Sequence, residues 1–133
     1  MNELLEQKLK LAVSALDSLA RVFPGDYEKF TEESLVVPSV ERYFQLLVDA
    51  VVDCNQVILE MRKKEPEETY FGTFTALADE GVVTEELAQK IAPSVGLRNA
   101  LVHRYENIER RRVYESIKVF IPLYRDYIEA ISK

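Results

Sequence analysis

The chain has 133 residues and a formal net charge of −6 at pH 7, with 47% hydrophobic and 30% charged residues. That length fits one domain spanning residues 1–133, and the composition excludes both a disordered tail and a turn-rich all-β protein. The negative charge argues against a surface that binds duplex DNA or RNA along its length by neutralising phosphates.

The sequence also indicates the cellular compartment and argues against a structural zinc site. The single cysteine, Cys54, cannot form an internal disulfide, and no cysteine cluster offers a zinc site. The first ten residues lack the basic start and apolar run of a signal peptide, and no stretch reaches the ~18 apolar residues of a membrane span. We therefore expect a soluble, cytoplasmic protein with no membrane partner, metal or cofactor.

Helical periodicity dominates the first half of the chain. Apolar residues recur at steps of three and four over 3–23, which predicts a helix that a Pro-Gly pair ends. Residues 26–37 have no sustained period and predict a connection with room for one short helical turn. The longest apolar stripe follows Pro38 and predicts a helix from Ser39 to Met61.

Shorter helices are predicted next. A helix over 69–80 is followed by Gly81, which suits a left-handed C-terminal cap, and Thr84 begins a helix that continues to Ile91. Pro93 either begins a new helix or bends the previous one, and the helical pattern then extends to residue 108.

The final predicted helix covers residues 110–131, with a kink at Pro122. No stretch is typical of a strand, so we predict an all-α, up-and-down helical bundle of five or six helices. The bundle has more aromatic surface than a small core must bury, and we expect part of it to form a subunit interface. These aromatic residues are Tyr43, Phe44, Tyr114, Phe120 and Tyr124.

One segment, GLRNALVHRY at residues 96–105, carries side chains suited to chemistry. On a helix, Asn99 and His103 lie one turn apart on one face, whereas Arg98 and His103 are about 140° apart. Arg98 and His103 can therefore meet only at a common target beside the helix. The leucines of the segment point inward.

Phosphodiester chemistry suits this set. A guanidinium can hold two phosphate oxygens and stabilise the negative charge that grows in the transition state. An imidazole can exchange a proton with a ribose hydroxyl near neutral pH, and RNA supplies its own nucleophile. From the residues alone, a histidine near an arginine is more often a pair of helix-surface or core groups than a catalytic pair.

Other candidates have simpler interpretations. Residues 96–112 hold five arginines and two glutamates, so an anionic ligand would bind there, although Arg110–Arg112 fit a solvated helix start better than an RNA track. Asp49 and Asp53, one turn apart, could suggest a metal but fit an exposed polar edge better. Cys54 lies in an apolar stripe and fits a buried structural thiol.

The string RNALVH at 98–103, followed by Tyr105, resembles the R-x4-H-x-Y signature of the HepT-like toxins of the HEPN superfamily. The stretch 41–50 resembles the long second helix of that family, and 70–87 resembles its short helical hairpin. The Val-Gly-Leu at 95–97 is similar to the usual lead-in to the motif. The resemblance covers nearly the whole chain.

This resemblance implies a homodimer whose two motif helices line a shared cleft, and a metal-independent endoribonuclease toxin of a type VII toxin-antitoxin module. Arg98 would stabilise the phosphate, Asn99 would orient the site, and His103 would transfer protons. Tyr105 matches the tyrosine that a minimal nucleotidyltransferase antitoxin of the MNT type modifies with AMP. An RNA contact by Arg104 is inferred from its charge alone.

Two other functions compete with this one. The chain could be a non-catalytic helical subunit that docks on a nucleotidyltransferase and helps to hold its nucleotide or substrate, or a purely structural dimerisation domain. A docking module has no evident need for Arg98 and His103, so the intact motif favours the nuclease.

Overall fold

The computed structural model describes residues 2–103 and 108–133, and within them the chain forms seven α-helices and no strand. The all-α prediction is confirmed. The helices are α1 (Glu3–Val22), α2 (Tyr27–Glu32), α3 (Val36–Met61), α4 (Tyr70–Asp79), α5 (Glu85–Ile91), α6 (Pro93–His103) and α7 (Arg110–Ile131). The prediction was five or six helices, and the additional one is the short α2, in a segment predicted as a connection.

In the described part of the chain, polar side chains cap the starts of four of the seven helices, including α5 at the predicted Thr84. The side chains of Asn2, Asp26, Thr69 and Thr84 each accept a hydrogen bond from a backbone N–H in the first turn of α1, α2, α4 and α5. Such a bond satisfies a donor that the helix itself cannot. Gly81 has a φ of 74°, so the left-handed turn predicted after α4 is present.

Two predicted boundaries were wrong. The third helix begins at Val36, three residues before Ser39, and Pro38 lies in its first turn, where a missing N–H costs nothing. Helix α6 is described to His103, residues 104–107 lie outside the described part, and Ile108 is not helical. The final helix has the predicted bounds and contains Pro122.

Helix α3 forms the centre of the bundle. It packs against α1, α2, α4 and α6, while α7 closes the other side through α1, α2 and α5. The apolar stripe predicted on α3 is buried from Val40 to Leu59. Because α3 contacts both α4 and α6, a side chain at its middle can touch residues from both.

A buried polar chain ties three helices together inside this core. The Tyr127 hydroxyl donates to Asn55 Oδ1 (2.9 Å), and Asn55 Nδ2 donates to Thr73 Oγ1 (3.0 Å). Thr73 in turn donates to the carbonyl of Tyr70 (2.7 Å). Within the described ranges, no buried side-chain nitrogen or oxygen lacks a hydrogen-bond partner. The network therefore fixes the first turn of α4 against α3 and α7.

We expected the five aromatic residues named above to exceed what one small core can bury. For three of the five this was wrong. Phe44, Tyr114 and Tyr124 are buried within one chain, and only Tyr43 and Phe120 remain half-buried. A single bundle can bury these rings because they pack on one another, as Tyr114 does on Phe23 with 4.9 Å between ring centroids. Excess aromatic surface thus gives no argument for a dimer.

We predict that Tyr127→Phe lowers the free energy of unfolding by about 1–3 kcal/mol, because it leaves Asn55 Oδ1 buried without its donor. Urea denaturation measures the change. Tyr43→Phe is the matched control, on the same helix as Asn55, and should cost less than about 0.5 kcal/mol. Equal losses in the two variants would contradict a stabilising role for the network.

Candidate active site

Helix α6 carries the candidate catalytic side chains, and its own start is firmly anchored. Ser94 is buried; its hydroxyl donates to the carbonyl of Ile91 (2.6 Å) and lies 2.6 Å from the Tyr124 hydroxyl of α7. Burial raises the pKa of Tyr124, which keeps this hydroxyl protonated and able to donate to Ser94. Leu97 and Leu101 pack against the core, as predicted. The opposite side of α6 is left for polar groups.

Arg98 is held by three helices. Its Nε donates to Asp49 Oδ1 of α3 (2.9 Å), and its Nη1 donates to the side-chain oxygen of Asn99 (3.1 Å). The guanidinium carbon lies 4.8 Å from the ring centroid of Tyr70, the first residue of α4. The Arg98 side chain is 20% exposed, so it is largely shielded from solvent but not fully buried.

Asp49 and Arg98 both affect the ionisation of the neighbouring Tyr70. Burial and then the negative charge of Asp49 raise the pKa of the Tyr70 hydroxyl, whereas the positive charge of Arg98 lowers it. The phenol therefore stays neutral, and its ring stacks on the cation through its π face. A guanidinium carries its positive charge at any ordinary pH. The cluster holds one cation, one anion and one neutral ring.

Asn99 and His103 extend the site along α6. Asn99 is half-buried beside Arg98, while His103 is exposed and is the last residue of the helix as described. The structure thus brings Arg98 and Asn99 into direct contact and places His103 one turn beyond Asn99. Arg104 and Tyr105, the two remaining predicted site residues, lie outside the described residues.

A cavity of about 610 Å³ adjoins the same helix, between α3, α6 and the start of α7. Its polar lining includes Glu41, Arg42 and Arg110. Partial burial raises the pKa of the Glu41 carboxyl, and the charge of Arg110 opposes that rise. The cavity beside the C-terminal half of α6 is therefore lined by both acidic and basic side chains.

Comparisons with known proteins agree with the sequence resemblance. A family model described as "Ribonuclease HepT-like" matches residues 13–131. A protein named tRNA nuclease HepT, from Aphanizomenon flos-aquae, is 35% identical over 132 residues, covering 97% of this chain and 88% of that one. The chain belongs to the HepT-like family.

One further curated relative and two solved structures are also similar to this chain. The mRNA nuclease HepT of Shewanella oneidensis is 23% identical and covers 99% of this chain and 98% of its own length. The tri-AMPylated Shewanella oneidensis HEPN toxin in complex with MNT antitoxin superimposes with a TM-score of 0.88, at 23% identity, over 99% of this chain and 98% of that one. YutE of Bacillus subtilis, described as a cytosolic protein of unknown function, reaches 0.79 at 19% identity, over 96% and 87% of the two chains.

Sequence reasoning missed two residues that the structure places against Arg98. Asp49 fitted an exposed polar edge, and Tyr70 was only part of a helical hairpin, yet both contact Arg98. The available signal was Arg98 itself, since a cation on a half-buried helix face needs a hydrogen-bonding anion. Which of several acidic residues met that need depended on how α3 packs against α6. Asp53, by contrast, pairs with Lys8 at the surface (3.4 Å).

The remaining candidates have structural roles or none. Cys54 is fully buried, and burial raises the pKa of its thiol to about 12, so it is a structural residue as predicted. Arg111 lies over the ring of Tyr27, 4.8 Å from its centroid, at the exposed start of α7. In the part of the chain that the structure describes, no group of three or more His, Cys, Asp or Glu could hold a metal ion. No described helix is long and apolar enough to span a bilayer.

Proposed function

We propose that this HepT-like protein is an endoribonuclease toxin that cleaves RNA without a metal ion, through Arg98 and His103. The observation that carries the proposal is the fixed guanidinium of Arg98, which keeps part of its hydrogen-bonding capacity beside a histidine on the same helix. Relatives named for cleavage of tRNA and of mRNA support RNA as the substrate class.

The reaction follows from these two side chains and the substrate. The ribose 2′-hydroxyl attacks the adjacent phosphorus while its proton is removed, the bond to the 5′-oxygen breaks, and that oxygen takes up a proton. The products are a 2′,3′-cyclic phosphate and a free 5′-hydroxyl. Arg98 stabilises the charge on the phosphate oxygens, and His103 carries out proton transfer near neutral pH. Asn99 orients Arg98, and Arg104 contacts the RNA backbone.

In this proposal, RNA is bound only close to the motif. The chain as a whole repels nucleic acid because its net charge is −6, but the arginines of segment 96–112 gather positive charge around the motif. A few phosphates beside the cleavage site are therefore bound, and long tracts are not. We expect single-stranded RNA to be the substrate, because its backbone can be drawn to one point on the surface.

We expect that the purified protein cleaves single-stranded RNA in excess EDTA and leaves 2′,3′-cyclic phosphate ends. His103→Ala should lower the cleavage rate by about 10²-fold or more, since it removes the proton-transfer group. Arg98→Lys should also be strongly impaired, because an ammonium cannot reproduce the two-pronged guanidinium. Gel analysis of end-labelled tRNA and mRNA measures both effects.

Arg21→Lys, on α1, is the matched control and should cleave at the wild-type rate. Loss of activity on chelation would contradict metal independence. A folded wild-type protein that leaves every RNA intact would overturn the nuclease and favour a non-catalytic subunit of a nucleotidyltransferase.

The active species in this proposal is a homodimer. One chain has a single histidine, whereas the reaction needs one proton removed and another delivered, so a cleft lined by two motif helices supplies the second imidazole. Val102, next to His103, is 40% exposed and offers apolar surface at that position. Light scattering at micromolar concentration should give twice the 15.3 kDa chain mass. A monomer at all such concentrations would contradict the shared cleft.

Inhibition of the nuclease by a partner protein is the second part of the proposal. A minimal nucleotidyltransferase antitoxin of the MNT type would attach AMP to Tyr105, two residues beyond His103. The added phosphate would compete with RNA for the arginines of the motif and repel its backbone. A structural relative described as AMPylated and bound to an MNT antitoxin supports this kind of partner.

Co-expression with an MNT-type nucleotidyltransferase should add one or more AMP units to Tyr105 and stop RNA cleavage. Tyr105→Phe lacks the acceptor oxygen and should remain active and unmodified, while Tyr43→Phe, the control, should be modified like the wild type. Intact-mass and peptide mass spectrometry locate the group. Full inhibition of an unmodified chain would indicate occlusion by the partner instead, and AMP on another residue would reject Tyr105.

A further inference from the structure

Asp49 and Tyr70 touch the guanidinium of Arg98 but have no part in the chemistry proposed above. Asp49 comes from the middle of α3, and Tyr70 comes from the first turn of α4. The two residues approach Arg98 in different ways, Asp49 through a hydrogen-bonded ion pair and Tyr70 through its ring face. An arginine that merely covers a helix surface does not need either contact.

The contacts leave three of the five N–H groups of the guanidinium without a hydrogen bond to the residues that the structure describes. A guanidinium has five N–H donors in a planar fork. Asp49 takes the single N–H of Nε, and Asn99 takes one N–H of Nη1. Within residues 2–103 and 108–133, no hydrogen bond to the remaining Nη donors is present. The terminal Nη1–Nη2 edge is the one that binds two phosphate oxygens side by side.

Tyr70 limits the remaining freedom of the side chain. Its ring lies 4.8 Å from the guanidinium carbon and blocks movement of the guanidinium toward α4, whereas the hydrogen bond to Asp49 holds Nε toward α3. Tyr70 is itself held, because its carbonyl accepts from Thr73 at the end of the buried chain through Asn55. The position of Arg98 is thereby tied to the core of the bundle.

We propose that Asp49 and Tyr70 are positioning residues, which fix Arg98 so that its terminal Nη edge faces the scissile RNA phosphate. This inference rests on the proposed nuclease function. Asp49 has a second, opposing effect, since its negative charge lies beside the bound phosphate and weakens binding of the ground state. Asp49 therefore favours turnover at the expense of affinity.

The opposed effects predict a separation of kcat from KM. In Asp49→Ala, kcat should fall about 10- to 100-fold, because small misplacements of a catalytic group have effects of this size. KM should stay unchanged or fall, because a negative charge has been removed. Asp49→Asn keeps an acceptor for Nε and should recover part of kcat. Binding of RNA with 2′-O-methyl groups, which cannot be cleaved, should be as tight as in the wild type or tighter.

Asp53→Ala is the matched control for Asp49. Asp53 lies one turn further along α3 and also pairs with a cation, Lys8, but at the exposed surface. Its removal should change kcat by less than about two-fold, as expected for an exposed ion pair.

Tyr70 is tested in the same way. Tyr70→Leu should lower kcat, and Tyr70→Phe should recover most of the loss because it keeps the ring. Phe71→Leu, at the neighbouring exposed position, is the control and should match the wild type.

The outcomes separate the two proposals. If the wild type cleaves RNA but Asp49→Ala retains the kcat of Asp53→Ala, the positioning role is wrong and the nuclease stands. If Asp49→Ala loses both kcat and binding of the methylated RNA, Asp49 is merely structural, which also overturns the inference. If the wild type cleaves no RNA, the nuclease and the inference fail together.

Discussion

The contact between Arg98 and Asp49 determines what the rest of the site can do. It joins the motif helix α6 to the central helix α3 through a 2.9 Å ion pair that is only partly exposed. Shielding a guanidinium from water is costly unless hydrogen bonds replace the lost hydration. Asp49 and Asn99 replace only part of it. In the proposed function, a phosphate of the RNA accepts hydrogen bonds from the remaining donors. A phosphate diester has the matching charge and geometry.

The fold explains why this cation stays in place. Helix α6 is pinned at its start by Ser94 and Tyr124, and α4 is pinned at its start by Thr73. Both anchors are buried polar bonds, whose loss would leave unsatisfied groups in an apolar core. Such bonds allow few alternative arrangements of the helices. A site formed at the junction of three helices therefore gains rigidity from the core rather than from the motif alone.

The sequence located most of the helices but not the contacts between them. Apolar periodicity and caps such as Thr84 located most helices, since these signals act within a few residues. The motif with its family resemblance singled out Arg98, Asn99 and His103 as candidate site residues. Asp49 could not be chosen from sequence, because its distance from Arg98 depends on how α3 and α6 pack. Tyr114 was counted among the aromatic residues that exceed a small core, because ring-on-ring packing in the core leaves no periodic signal.

A double-mutant cycle between Asp49→Ala and Arg98→Gln tests the central claim most directly, with the single-turnover rate of RNA cleavage as the readout. If Asp49 acts by holding Arg98, its removal should slow the wild-type background about 10-fold or more and leave the Arg98→Gln background nearly unchanged. The same fractional loss in both backgrounds would show that Asp49 acts independently of Arg98, which would contradict the account.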